Sequence, residues 1–165
     1  MTSLLPQGPP GPCVIGVDMP FKPLKLLIAY DDARGHCGRV VPRMKQLLED
    51  RAFEVQTHVI GDQPEQVDLY EVDGLVLGTP SFGVGLRGAG PTERVKRWVE
   101  AQGGLEEVKV ATFSVYEIRA GNSLRNIRQL VRDQQGEHIA GFAYWLARPE
   151  HDEHVLPAEC MVRIR

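Results

Sequence analysis

Cysteine is scarce in this chain. Cys13, Cys37 and Cys160 are odd in number and far apart. No pair falls at C-x-x-C or zinc-ligand spacing, which argues against a disulfide framework, a dithiol redox motif and a zinc ribbon. The expectation is a reduced, cytoplasmic protein. Long apolar runs are also missing: nowhere do about 18 apolar residues follow one another, so no segment reads as a membrane-spanning helix. No Lys or Arg precedes Lys22, and the apolar stretch there is too short for the core of a secretory signal. Charge of one sign is not in excess. The 19 Lys and Arg against 22 Asp and Glu leave a net charge of -3. That argues against a nucleic-acid partner, for which a basic domain is expected, and it falls short of a strongly acidic electron shuttle. No internal repeat and no second domain are visible.

What remains is ordinary globular material: 165 residues, 42% hydrophobic and 25% charged. A chain of that length buries enough surface to fold as one domain without staples. Proline is concentrated at the start, with Pro6, Pro9, Pro10, Pro12, Pro20 and Pro23 among the first residues. Residues 1–22 therefore read as a Pro/Gly-rich extension that forms neither helix nor central strand.

From Leu24 the pattern alternates strand and helix. Leu24 to Tyr30 is a nearly continuous apolar run, as expected of a strand buried on both faces. A polar turn from Asp31 to Gly38 follows. Val40, Val41, Met44, Leu47 and Leu48 then recur at helical spacing, with Pro42 near the predicted helix start. Phe53 to Ile60 reads as a second strand, residues 61–72 hold at most a short helix, and Leu75 to Gly78 form a third strand. Residues 79–90 make a long glycine-rich loop. Pro91 is expected to open a helix with Val95, Trp98 and Val99 inward, stopped by Gly103-Gly104. Val108 to Ser114 is a fourth strand and Tyr116 to Gly121 a loop. Asn122 or Ser123 caps a helix with Leu124, Ile127, Leu130 and Val131 inward, and Ile139 to Ala147 is a fifth strand. Such alternation predicts a parallel sheet covered on both faces, with ligands bound beyond the carboxyl ends of its strands. The loops at that edge are 31–38, 79–90 and 114–122.

The run Asp73-Gly74-Leu75-Val76-Leu77-Gly78-Thr79-Pro80-Ser81-Phe82-Gly83, followed by Val95-Lys96-Arg97-Trp98, resembles the flavodoxin-like flavoproteins, including the NAD(P)H:quinone reductases built on that fold. The resemblance covers residues 23–147. It implies an α/β, flavodoxin-like three-layer α/β/α sandwich with a five-stranded parallel sheet. It also implies FMN as cofactor, electron transfer or NAD(P)H-linked reduction as activity, and NAD(P)H or a redox protein as partner. By that resemblance Pro80, Ser81, Phe82 and Gly83 border the flavin ring, with Phe82 as the flat contact. Ser114, Tyr116 and Gly121 occupy the second flanking position.

The turn after the first strand departs from the family. There the family carries hydroxyls around a glycine, and these hold the FMN phosphate at a helix N-terminus. Here the turn reads Asp32-Ala33-Arg34-Gly35-His36-Cys37. The glycine is kept and the hydroxyls are not. Asp32 places a carboxylate beside the phosphate position, and Arg34 is the residue that can compensate as a charged donor. Cys37 is a poorer donor than Thr, although a helix N-terminus mildly activates a thiol. Two functions follow. One is an FMN-dependent oxidoreductase or electron carrier. The other is a cofactor-free binding or regulatory module that keeps the fold and has lost the phosphate anchor.

Other motifs carry less. Gly83-Val84-Gly85-Leu86-Arg87-Gly88 matches G-x-G-x-x-G, but it neither follows its strand directly nor opens the helix. His36-Cys37 through Arg43 matches H-C-x5-R, resembling the tyrosine phosphatase signature, but Val40-Val41-Pro42 read as helix rather than as a phosphate cradle. Asp31-Asp32 resembles the acidic pair of response-regulator receivers, yet the third strand ends without an aspartate. His151-Asp152-Glu153-His154 lacks a rigid frame, and no metal site is expected. Arg125, Arg128 and Arg132 share one helix face, suited to solvent, an acidic partner or a nicotinamide phosphate. Residues 148–165 lack the helix expected after strand five, and Val162 and Ile164 read as a short edge strand. Together with Cys13 to Val17, this end is expected to cover the sheet face the missing helix leaves open, within the chain or in a homo-oligomer.

Overall fold

The computed structural model describes residues 22–81, 90–118 and 120–146. Strands β1 (Lys25–Tyr30), β2 (Glu54–Val59), β3 (Gly74–Ser81), β4 (Lys109–Tyr116) and β5 (Glu137–Trp145) are joined by helices α1 (Cys37–Glu49), α2 (Glu93–Ala101) and α3 (Ser123–Asp133). All four strand pairings are parallel, in the order β2-β1-β3-β4-β5. The order reverses beside β1, between β1 and β3, so the crevice of such a sheet opens at their carboxyl ends.

The period of two in the strands sorts the core into two layers. Leu26, Ile28, Val76, Phe113, Val115 and Phe142 share one face with Val40, Val41, Met44 and Leu48 of α1. Leu27, Ala29, Leu75, Leu77 and Val110 share the other with Val95, Trp98 and Val99 of α2 and Ile127 and Val131 of α3. Of the predicted inward residues of α3, Leu124 and Leu130 are only half-buried. The strand interior is tightly packed at Gly78, where an added Cβ would lie 2.1 Å from Cζ of Phe113.

Three boundaries differ from expectation. First, β3 runs on through Thr79, Pro80 and Ser81, and β4 through Tyr116, so Thr79↔Ser114, Pro80↔Val115 and Ser81↔Tyr116 are paired rather than looped. A proline in a central strand is unusual because it cannot donate to the ladder. Here β1 pairs with β3 only as far as Tyr30↔Gly78, and the Gly78 carbonyl accepts from the Asp31 N–H at 3.2 Å. In a parallel ladder alternate residues bond to the same neighbour. Pro80 therefore faces the side that β1 has already left, and its missing N–H costs no ladder bond.

Second, α1 starts at Cys37, which places Pro42 inside the helix and not in its first turn. The helix reaches back because its amino end is capped from a distance, as described below. Third, Pro91 precedes α2 instead of opening it. Thr92 is the cap, its Oγ1 accepting from the Val95 N–H at 3.4 Å. The short helix within 61–72 is a single 3-10 turn, Leu69–Glu71, capped by Asp68. No helix among the described residues is long and apolar enough to cross a membrane. The expected edge strand at 162–164, the segment Cys13 to Val17 and the motif His151 to His154 lie outside the described residues.

Candidate functional site

Beyond the carboxyl ends of β1, β3 and β4 the structure brings together the turn after β1, the ends of β3 and β4, and the loop into α3. The turn is built from its own carboxylates. The Asp31 side chain is 1% exposed. Its Oδ1 accepts from the Ala33 N–H at 2.9 Å and lies 3.5 Å from Nη1 of Arg94, while its Oδ2 accepts from the Thr92 hydroxyl at 2.6 Å. Arg94 in turn donates from Nε to Asp62 at 2.6 Å. Thr92 also donates its N–H to Oγ1 of Thr79 at 3.2 Å. Asp31 thus ties the end of β1 to the cap of α2, and through Thr92 to the end of β3.

Asp32 does something different. Its carboxylate Oδ1 accepts from the N–H of Gly38 at 2.7 Å, and the Gly35 N–H closes the turn on the Asp32 carbonyl at 2.9 Å. Gly35 has φ +70, a left-handed conformation that favours glycine at this bend. His36 holds the formal N-cap position of α1 but makes no side-chain cap bond. The cap is Asp32, acting from six residues before its donor. A carboxylate there also meets the positive end of the helix dipole. Gly38 is fitted to it: a Cβ at that residue would lie 2.5 Å from Asp32 Oδ2.

The charge of Asp32 reaches its neighbours. Burial first, then the Asp32 carboxylate, then the thiol of Cys37 raise the phenol of Tyr30. Burial first, then Asp32 and Asp31, push the Cys37 thiol far above its ordinary value. Cys37 is fully buried. The mild thiol activation expected at the helix start is therefore reversed, because a thiolate would form without water and beside two carboxylates. The H-C-x5-R segment lies in α1, where Arg43 donates to Gln46 at 3.2 Å, so it forms no phosphatase cradle.

The remaining expected residues are placed as follows. Arg34 is exposed in the turn, and Gly35 forms its bend. His36 is buried and pairs with Glu117 through Nε2 and Oε1 at 3.1 Å, which joins the start of α1 to the loop after β4. Pro80 and Ser81 are buried at the end of β3, with the Ser81 hydroxyl donating to the Ala120 carbonyl at 3.4 Å. Ser114 is fully buried in β4, and its hydroxyl has no partner among the described residues. Tyr116 is half-buried at the β4 end, and its carbonyl accepts from the Leu146 N–H at 2.8 Å. Gly121 is exposed, with φ 53, just before α3. Phe82, Gly83 and the rest of the G-x-G-x-x-G segment lie outside the described residues. Arg125, Arg128 and Arg132 are exposed along α3. Sequence reasoning missed Thr92, Arg94, Asp62 and Glu117. Only Thr92 carried a local signal, a hydroxyl residue before an acidic helix start. A separate cavity of about 360 Å³ lies at the opposite edge, lined by Val67, Tyr70, Gln102, Gly103 and Val108 among others.

The strand order and helix placement recur in known structures. Flavodoxin 1 from Bacillus cereus superimposes with a TM-score of 0.63 at 17% identity, covering 85% of this chain and 94% of that one. A cysteine-to-serine mutant of flavodoxin from Pseudomonas aeruginosa gives 0.64 at 12%, covering 86% and 99%. The chain has the flavodoxin-like fold. A flavoprotein from Lactobacillus acidophilus, solved in complex with FMN, shares the fold with a TM-score of 0.58 at 10% identity, covering 81% and 98%. No protein-family model matches the chain, and no curated protein matches its sequence.

The flavodoxin-like crevice of this chain does not fit the FMN phosphate. A phosphate held at the start of α1 would use helix N–H groups, and Asp32 already takes that of Gly38. Two unit charges of like sign 4 Å apart repel by about 4 kcal/mol at an effective dielectric constant near 20. A dianion that accepts from the Gly38 N–H would meet that repulsion from Asp32, whereas Asp31 is paired with Arg94.

Proposed function

We propose that this chain is a flavodoxin-fold binding or regulatory module that works without FMN as its resident cofactor. The observation that carries the reading is the bond from the Gly38 N–H to the Asp32 carboxylate, at the point where the fold would grip a phosphate. Asp31, buried alongside and tied to Thr92 and Arg94, supports it by making the same turn a structural clamp. In this reading the ligand or partner meets the crevice through Tyr116, Gly121 and the loops that flank them, and the exposed arginines of α3 are available to an acidic partner.

The test is a visible spectrum of the purified full chain, before and after addition of FMN. The expected result is no flavin as isolated and no bound flavin at high micromolar FMN. Flavin bound near one per chain overturns the reading. That outcome favours the second function, FMN-dependent electron transfer or NAD(P)H-linked reduction. The FMN complex of the structurally similar Lactobacillus acidophilus flavoprotein is the observation on its side.

A further inference from the structure

We propose that Asp32 is a built-in anion that sets the selectivity of the crevice, so that ligands uncharged at the α1 end are admitted and ligands ending in phosphate are rejected. The proposal deepens the reading above and rests on the crevice being a binding site.

Three observations carry it. Asp32 Oδ1 is 2.7 Å from the Gly38 nitrogen, the distance at which a charge-assisted acceptor sits. A phosphate oxygen accepting from that N–H needs the same volume, because a hydrogen bond fixes its acceptor within a few tenths of an ångström. The other oxygen of Asp32 lies so close to Gly38 that no Cβ fits there, so the carboxylate fills the space beside the helix start. Finally, the backbone that carries Asp32 is fixed. Its carbonyl is held by the Gly35 N–H, and Asp31 next to it is anchored to Ala33 and Thr92.

The consequence is a switch in ligand class produced by one side chain. Removing the charge lifts the repulsion, and Asp32→Ser, with its shorter side chain, also frees the helix N–H and returns a hydroxyl that donates to an anion. The chemistry selected against is the terminal phosphate itself, free or carried on a flavin.

The full chain, Asp32→Ser and Asp32→Asn are compared by calorimetric titration with FMN and with riboflavin. Thermal melts with inorganic phosphate run alongside. The expected result is that the parent chain binds FMN no tighter than riboflavin and gains no thermal stability from phosphate. Asp32→Ser then shifts the FMN-to-riboflavin preference by at least about tenfold toward FMN and is stabilised by phosphate. Asparagine remains a good cap, so Asp32→Asn keeps the bond to Gly38 and the helix start and tests the charge alone, with a smaller shift in the same direction. A parent chain that prefers FMN by tenfold or more overturns the proposal. So do folded variants that gain neither FMN preference nor phosphate stabilisation. A parent chain that binds FMN and riboflavin equally tightly, with variants that shift toward FMN, upholds the role of Asp32 and overturns only the cofactor-free reading.

Discussion

The two ends of the crevice are built by opposite means. At the β1 end, side chains do the work: Asp31 and Asp32 stand next to each other, and both are consumed by internal bonds to Thr92, Ala33 and Gly38. At the β3–β4 end, backbone does the work, as the two strands continue in register three residues beyond the last β1 pair. The first end is polar, and both of its carboxylates already hold internal partners. The second is a strand platform with a half-buried Tyr116, an exposed Gly121 and the buried Ser114 hydroxyl. In this chain the flavodoxin-like fold carries, at the start of α1, a helix N–H already bonded to a carboxylate. Fold and site separate here, as they do whenever function is grafted on a common scaffold.

The largest effect is expected where the two ends meet. Gly78 is the last β3 residue paired to β1, and Phe113 fills the space a side chain would need. Gly78→Ala is expected to cost about 3 kcal/mol or more by overpacking, read as a fall in the urea midpoint. Phe113→Leu in the same chain recovers part of that loss. Next in size, Asp31→Asn removes a buried charge from its hydroxyl and guanidinium partners. A loss of about 2 kcal/mol is expected in the same measurement, with cross-strand order at the β3–β4 end retained in amide exchange.

A double-mutant cycle sharpens the β1 end. Asp32→Ala alone loses a cap, about 1 kcal/mol. Gly38→Ala is destabilising while Asp32 is present, because the new Cβ meets the carboxylate, and stabilising once Asp32 is Ala, because alanine is the better helix former. Additive effects would contradict the contact.

The smallest effect lies at neither end. His138 bonds Thr112 at 3.0 Å, and its ordinary value of 6.5 is lowered by burial first and then by Arg128 and Arg132. The folded chain then binds fewer protons than the unfolded one. Stability from this group is fully present above the unfolded value and is lost as pH falls below it. Denaturation at about pH 7.5 and about pH 5.5 is expected to show a slightly lower midpoint at the acid pH, with His138→Gln flattening the difference.

The scaffold was legible because Leu26 to Ala29 and Leu75 to Leu77 are apolar runs that only a doubly covered strand tolerates. Pro80 was harder to place. Its tolerance depends on where β1 stops, a fact of register and not of composition. At the carboxyl edge the loops were legible from the strand pattern, but the bonds made there were not. The family resemblance implied a carboxylate at Asp32 beside a phosphate position; it gave no sign of the bond to Gly38, since the usual cap reaches two or three residues ahead and this one reaches six. The Cys37 thiol departs from expectation because a helix start lowers a thiol's pKa only where water and cations are near, and here burial and two carboxylates dominate. The pairing of His36 with Glu117 joins distant loops and left no local trace.

The central claim is that Asp32 fills the phosphate position. The Gly38 amide resonance reports on it directly, in the parent chain and in Asp32→Ser, during titration with inorganic phosphate and with FMN. This resonance is expected to stay in place in the parent chain and to move saturably in Asp32→Ser. A saturable shift of the Gly38 amide in the parent chain would contradict it.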